Sequence, residues 1–193
     1  YKVTGVQTCA LPISPEAILD TLEQDLVEQE RLIHAWHGKN NRIFYALTPR
    51  FAPSCSDPLM EGLAQLHRNF EGLYLQTHIS ENLDELELVR SLYPSAKNYL
   101  DVYDRFGMVH PKTVLAHGIH LRSEELRDIQ NLGATISHCP TSNLFLGSGL
   151  FPFQAFQNQG LKITLGTDIG AGTSFSLWQT MADAVKDRKS TRL

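Results

Sequence analysis

The sequence predicts an α/β fold, a partial (β/α)8 barrel of the TIM type with about five βα units drawn from the later strands of the barrel. Three observations carry that expectation. Nearly continuous apolar runs of strand length alternate with longer segments of helical spacing, the pattern of a parallel sheet covered by helices. Ionisable residues stand at the ends of successive strands, namely His78, His117, His138 and Asp168, with Arg50 just past the first strand. Neither GxGxxG nor GxxxxGK(S/T) follows any strand, which removes the usual nucleotide-binding signatures of an open sheet. Ionisable groups from several strand ends meeting on one face is a barrel feature.

The elements follow in order. Segment 16–36 has helical spacing, with Leu19, Leu22, Leu26 and Ile33 on one side and acids on the other, and 57–70 is a second packing helix. Between them RIFYAL (42–47) reads as a short buried strand that breaks at Thr48-Pro49 into the loop TPRFAPSCSDP. LYLQTH (73–78) is a strand and 81–91 a helix, so His78 ends the one and Glu81 opens the other. TVLAH (113–117) is the next strand, followed by a helix over 123–132 with Ser123 as its cap and Glu124 and Glu125 favouring its N-terminus. ATISHC (134–139) and LKITLGT (161–167) are two more strands, each preceded by a turn glycine, Gly133 and Gly160. A last helix spans about 174–186.

The two ends differ from the middle. DRKSTRL (187–193) reads from GATCGGAAGAGCACACGTCTG, and QTCALPI (7–13) reads from the reverse complement of the same string. Both resemble translated sequencing adapter, so 1–14 and 187–193 are expected to be non-native tails flanking a barrel domain over 15–186, cut from a longer gene. Setting aside Lys2, Arg188, Lys189, Arg192 and Asp187 leaves 13 basic and 20 acidic residues. An acidic balance disfavours a nucleic-acid backbone as partner, because such binding leans on clustered Lys and Arg. No apolar run approaches the roughly 20 residues of a membrane helix, and no leader pattern is evident, so the expectation is no membrane partner and a cytoplasmic location. The three cysteines lack CxxC spacing, which suggests neither a zinc ribbon nor a disulfide framework. A full barrel takes about 250 residues and eight strands, so five strands would leave two unpaired edges.

The chemistry sits at the strand ends. Neutral imidazoles and carboxylates are good zinc ligands, and His78 and Asp168 fit those roles. A bound metal lowers the pKa of its water to about 7. Glu81, three residues beyond His78, is placed to take that water's proton and pass it to a substrate ring nitrogen. His117, on the next strand end, would hold or polarise the same water. Taken singly, each residue has a plainer reading: a hydrogen-bonded structural histidine, a glutamate favouring its helix N-terminus, or an Asx-turn aspartate. The combination of HxxE, AHG and GTD in barrel order is more specific than any one of them.

Together TPRFAPSCS, QTHISEN, YPSAKNYLDVY, VLAHGIHL, ISHCPTSN and LGTDIGAG resemble the guanine deaminases of the amidohydrolase superfamily, over about residues 42 to 185. The resemblance implies a metal-dependent hydrolase barrel, with His78 and Asp168 as zinc ligands, Glu81 as proton shuttle and His117 contacting water and substrate. It also implies that Arg50 and Phe51 bind the purine, a role that suits a planar donor fork and an aromatic face. The implied reaction is hydrolysis of guanine to xanthine and ammonia, with Asp168 able to accept a proton, in a parent expected to be a homodimer. Zinc rather than iron rests on the resemblance alone. The superfamily's two further ligands, an HxH pair on the first barrel strand, have no counterpart in this chain. Two protein ligands are too few for a tight catalytic zinc site, so the fragment alone is expected to be inactive. Two alternatives stand beside this reading: a related deaminase or chlorohydrolase acting on another heterocycle, and a non-catalytic truncated barrel serving as an interaction piece.

The other candidates carry less. His34 and His37 are expected to be solvated near a helix end, His67 and His110 receive no role, and the loop is expected to turn His120 away. His138, Cys139 and Asn143 are expected to shape the pocket rim, and Cys55 to be a reduced loop thiol.

Overall fold

The structure, a computed structural model, describes residues 21–190. Five strands form one parallel sheet in chain order, each paired with the next. Helix α1 (Leu22–Trp36) is capped by Thr21, whose hydroxyl accepts the Gln24 N–H at 3.3 Å. The expected start at residue 16 lies outside the described residues. Strand β1 is only Ala46–Leu47, shorter than the expected 42–47, because the Gly38 N–H turns back onto the Ile43 carbonyl at 2.8 Å and holds that stretch out of the sheet. Helix α2 (Asp57–Asn69) packs on α1 with Gly62 at the contact, where a Cβ would lie 2.5 Å from Leu26 Cδ1.

Strand β2 (Tyr74–Ile79) leads to α3 (Leu83–Leu92), and a further helix, α4 (Tyr99–Arg105), precedes β3 (Thr113–His117). The cap of α3 is Asn82, which accepts the Glu85 N–H at 2.8 Å, so Glu81 precedes the helix and does not open it. Helix α5 is Ser123–Leu132. Its cap position is Arg122 rather than Ser123, and the Glu125 carboxylate accepts the Arg122 N–H at 3.0 Å. Strand β4 (Thr135–His138) runs into α6 (Pro140–Leu146), and α7 (Phe153–Asn158) precedes β5 (Lys162–Leu165). Helix α8 spans Leu177–Ser190. Residues 187–190, grouped with the tail on the sequence, continue that helix, and Asp187 is buried.

One core fills the space between the sheet and its helices, with Leu47, Leu75, Ile79, Leu115 and Ile136 from the strands meeting Leu63, Val89, Tyr103, Ile129 and Phe156 from the helices. Fully burying each such side chain contributes about 1.5–3 kcal/mol. Parallel order with helical crossovers sends every strand the same way, so all strand C-termini share one end of the sheet. None of the described helices is long and apolar enough to cross a membrane.

Candidate metal centre and active site

Strand β2 delivers His78 to that end. Its N–H donates to the Arg50 carbonyl at 3.0 Å, and its ring Nδ1 contacts the same carbonyl. A carbonyl only accepts, so Nδ1 carries the proton and Nε2 keeps its lone pair. Burial holds the His78 imidazole below its ordinary pKa, with the neighbouring His117 adding to the effect. The ring is therefore neutral, the form in which it can ligate.

Strand β3 delivers His117, which is fully buried. Its Nδ1 lies 2.9 Å from Asn143 Oδ1, and its buried Nε2 has no hydrogen-bond partner. Asp168, just beyond β5, places Oδ2 4.0 Å from that Nε2. His117 and Asp168 both adopt the left-handed region, at φ 68° and 46°. Such backbone costs about 1–3 kcal/mol per residue and persists where its surroundings over-determine it, most often at functional sites. One donor atom from each of His78, His117 and Asp168 lies within 4.8 Å of the others, the metal-type group found among the described residues. The two imidazole rings stack with centroids 5.1 Å apart. The geometry thus joins His117, expected only to contact water and substrate, to the two expected ligands.

Glu81 sits beside this group. Its Oε1 is 3.8 Å from His117 Nδ1 and accepts the Ser148 hydroxyl at 3.4 Å, while its N–H donates to Glu85 Oε2 at 2.7 Å. Burial raises its pKa, opposed by His78 and reinforced by Asp168. A carboxyl held above its ordinary range beside a buried imidazole is suited to accepting and passing on a proton. Arg50 and Phe51 come from the loop after β1, with the guanidinium 5.7 Å from the Phe51 ring centroid. The Arg50 carbonyl accepts the His78 N–H at 3.0 Å, which places the loop at the same end of the sheet.

Several residues expected to be peripheral have definite positions. His138 faces away from His78 and stacks on Phe151 with centroids 4.2 Å apart; its Nε2 lies 3.2 Å from Asp187. It lines an apolar cavity between β5, α7 and α8, not the metal-type group. Cys139 is buried and its thiol is pushed up to about 12, chiefly by burial, so it is a neutral group and not a thiolate ligand. His37 is not free in solvent: its Nδ1 accepts the Tyr45 N–H and its Nε2 donates to the Glu71 carbonyl, both at 3.1 Å. His120 donates to the Ser148 carbonyl at 2.9 Å and so anchors the loop that reaches Glu81. Cys55 is a buried thiol whose Sγ lies 3.9 Å from Ser54 Oγ.

Sequence reasoning missed two supports of the site, Ser148 against Glu81 and Tyr103 between the Arg50 loop and His78, and gave Asn143, which stands behind His117, only a place at the pocket rim. The capping pair Asn82 and Glu85 was visible as N-x-x-E before an apolar run. The contacts of Asn143 and Tyr103 span 26 and 25 residues and leave no local pattern.

Comparison with known proteins agrees with this architecture. The pattern of the amidohydrolase family matches residues 3–192. The chain is 42% identical over 173 residues to guanine deaminase of Escherichia coli (strain K12), covering 90% of this chain and 39% of that protein. It is 44% identical over 167 residues to the Mus musculus guanine deaminase, covering 86% of this chain and 37% of that protein. A solved guanine deaminase from C. acetobutylicum, with bound guanine in its active site, superposes with a TM-score of 0.88 at 40% identity, covering 92% of this chain and 42% of that one. The chain therefore spans about two fifths of the length of these relatives. With the family pattern running almost from end to end and a parallel sheet in barrel order beneath it, the chain belongs to the amidohydrolase family.

Proposed function

We propose that the full-length protein containing this chain hydrolyses guanine to xanthine and ammonia with one zinc ion per site, in the cytoplasm. The observation that carries the reading is the convergence of His78, His117, Asp168 and Glu81 at one end of the sheet in a chain 42% identical to a guanine deaminase. The residues fit a metal. Two imidazoles and a carboxylate form a zinc-type donor set, and the buried His117 Nε2 lacks a partner that an ion or its water would supply.

His78 and Asp168 would hold the metal, together with two ligands from outside this chain, and His117 would contact the water and the substrate. The bound ion supplies a water acidified to a pKa of about 7. Glu81 takes a proton from the water and delivers it to the ring nitrogen beside the amine-bearing carbon as the new C–O bond forms. The remaining proton of that water would pass from the added oxygen to Asp168 and from there to the amine as the C–N bond breaks, releasing ammonia and leaving the carbonyl of xanthine. Arg50 would donate to a purine carbonyl or ring nitrogen, and Phe51 would cover one face of the base. With two of its ligands elsewhere, this chain alone is inactive.

The test is ammonia release by the full-length protein from guanine, cytosine, adenine and a triazine. Guanine should be turned over and the others much less. Turnover of a triazine or cytosine with none of guanine would replace this reading with that of a sister enzyme.

A further inference from the structure

We propose that Tyr103 is a positioning residue that clamps the Arg50–Phe51 loop to the end of β2, fixing the distance between the purine-holding and metal-holding groups. Its functional meaning rests on the deaminase reading above; the clamp itself does not. Tyr103 lies on α4 and is fully buried. A phenol has one proton to give and two lone pairs. Its hydroxyl donates to the His78 carbonyl at 2.7 Å and accepts the Ala52 N–H at 2.9 Å, and at 3.1 Å it shares the Thr77 hydroxyl proton with the Arg50 carbonyl, 3.3 Å from that hydroxyl.

Those three partners are not scattered through the core. Ala52 directly follows Arg50 and Phe51, while Thr77 and His78 are the residues that carry β2 to the site. The loop and the strand end meet again where the His78 N–H and ring Nδ1 reach the Arg50 carbonyl. One side of the junction is thus held through Arg50 and the other through Tyr103. Ala52 is fully buried, so loss of the hydroxyl would leave its N–H without water or an alternative acceptor. The loop would then be free to pivot on the Arg50 carbonyl, moving the guanidinium and the Phe51 ring relative to the His78 imidazole.

A plainer role would be core packing alone, and Tyr99 supplies the control. It lies on the same helix, is buried, and stacks on Tyr103 with centroids 5.4 Å apart, yet its hydroxyl faces Tyr103 and Glu85 and makes no bond to the 50–52 loop or to β2. Tyr103→Phe and Tyr99→Phe each delete one buried hydroxyl from α4.

The experiment is amide hydrogen exchange on the 193-residue chain, read at residues 50–54, at 77–79 and at β3. In Tyr103→Phe the Ala52 amide should exchange about tenfold faster, and the His78 amide faster too, with β3 unchanged. Tyr99→Phe should not open the 50–54 loop selectively. Unchanged Ala52 exchange in Tyr103→Phe, or an equal rise in β3, would overturn the clamp. In the full-length enzyme, Tyr103→Phe should raise the guanine KM about tenfold and alter kcat much less. Were the deaminase reading wrong, the unsubstituted enzyme would not turn over guanine, yet the Ala52 amide of Tyr103→Phe would still exchange faster.

Discussion

Asn143→Ala isolates what holds His117 in place. Both side chains are fully buried, and the bond between His117 Nδ1 and Asn143 Oδ1 is 2.9 Å long. Its loss leaves the imidazole with neither nitrogen paired, because Nε2 already lacks a partner. A buried polar group left unpaired costs about 1–3 kcal/mol. The substitution also removes Asn143 Nδ2, which is itself unpaired, and this relief brings the expected cost to about 1–2 kcal/mol. With a urea m-value of about 2 kcal/mol/M for a chain of this size, the unfolding midpoint should fall by about 0.5–1 M. Asn69→Ala is the control, since it removes only an exposed contact to Gln65 at 2.7 Å and should stay within about 0.5 kcal/mol of the unsubstituted chain. Equal midpoints for the two variants would refute the reasoning, since His117 would then not depend on Asn143.

Two further outcomes follow from the same site and fold. With Glu81 in its proposed role as general base and the proposed ligands untouched, Glu81→Gln in the full-length protein should lower kcat about 10²–10⁴-fold with its metal content unchanged; kinetics with parallel metal analysis decide it. His110 stacks on His67 at a 4.0 Å centroid distance and has its pKa lowered to about 4, first by burial and then by the charges of His67 and Lys112. The unfolded chain binds that proton near the ordinary 6.5 while the folded chain resists it until about 4. Stability from this group is therefore complete above pH 6.5 and falls as the pH drops toward 4, so urea midpoints should decline over that window and His110→Asn should flatten the decline.

The parts of the site that were legible in the sequence are those that a strand presents directly. His78 and His117 each end a run of strand-type residues, and Asp168 follows LKITLGT, so their common position at one end of a parallel sheet follows from the direction of the strands. What escaped is held by short helices. YLDVYDR and PTSNLFL form helices of seven residues each, too brief for a 3.6-residue period to stand out. Even so, Asn98 accepting the Asp101 N–H at 2.9 Å and Pro140 at the start of α6 are helix-start signals that could have revealed them. Tyr103 and Asn143 act from those helices, and their roles exist only once the sheet has brought them to His78 and His117. His120 turns away from the metal-type group as expected, and what the sequence did not show is its destination, the loop whose Ser148 reaches Glu81.

Under the proposed function, His78 and Asp168 are two of the ligands of a zinc deaminase centre in the full-length protein. Zinc content and xanthine formation, measured together on the full-length protein and its His78→Ala and Asp168→Ala variants, test it most directly. The expected result is about one zinc per chain with guanine turnover in the unsubstituted protein, and loss of both in either variant. Guanine turnover that persists without His78 and Asp168 would contradict the account.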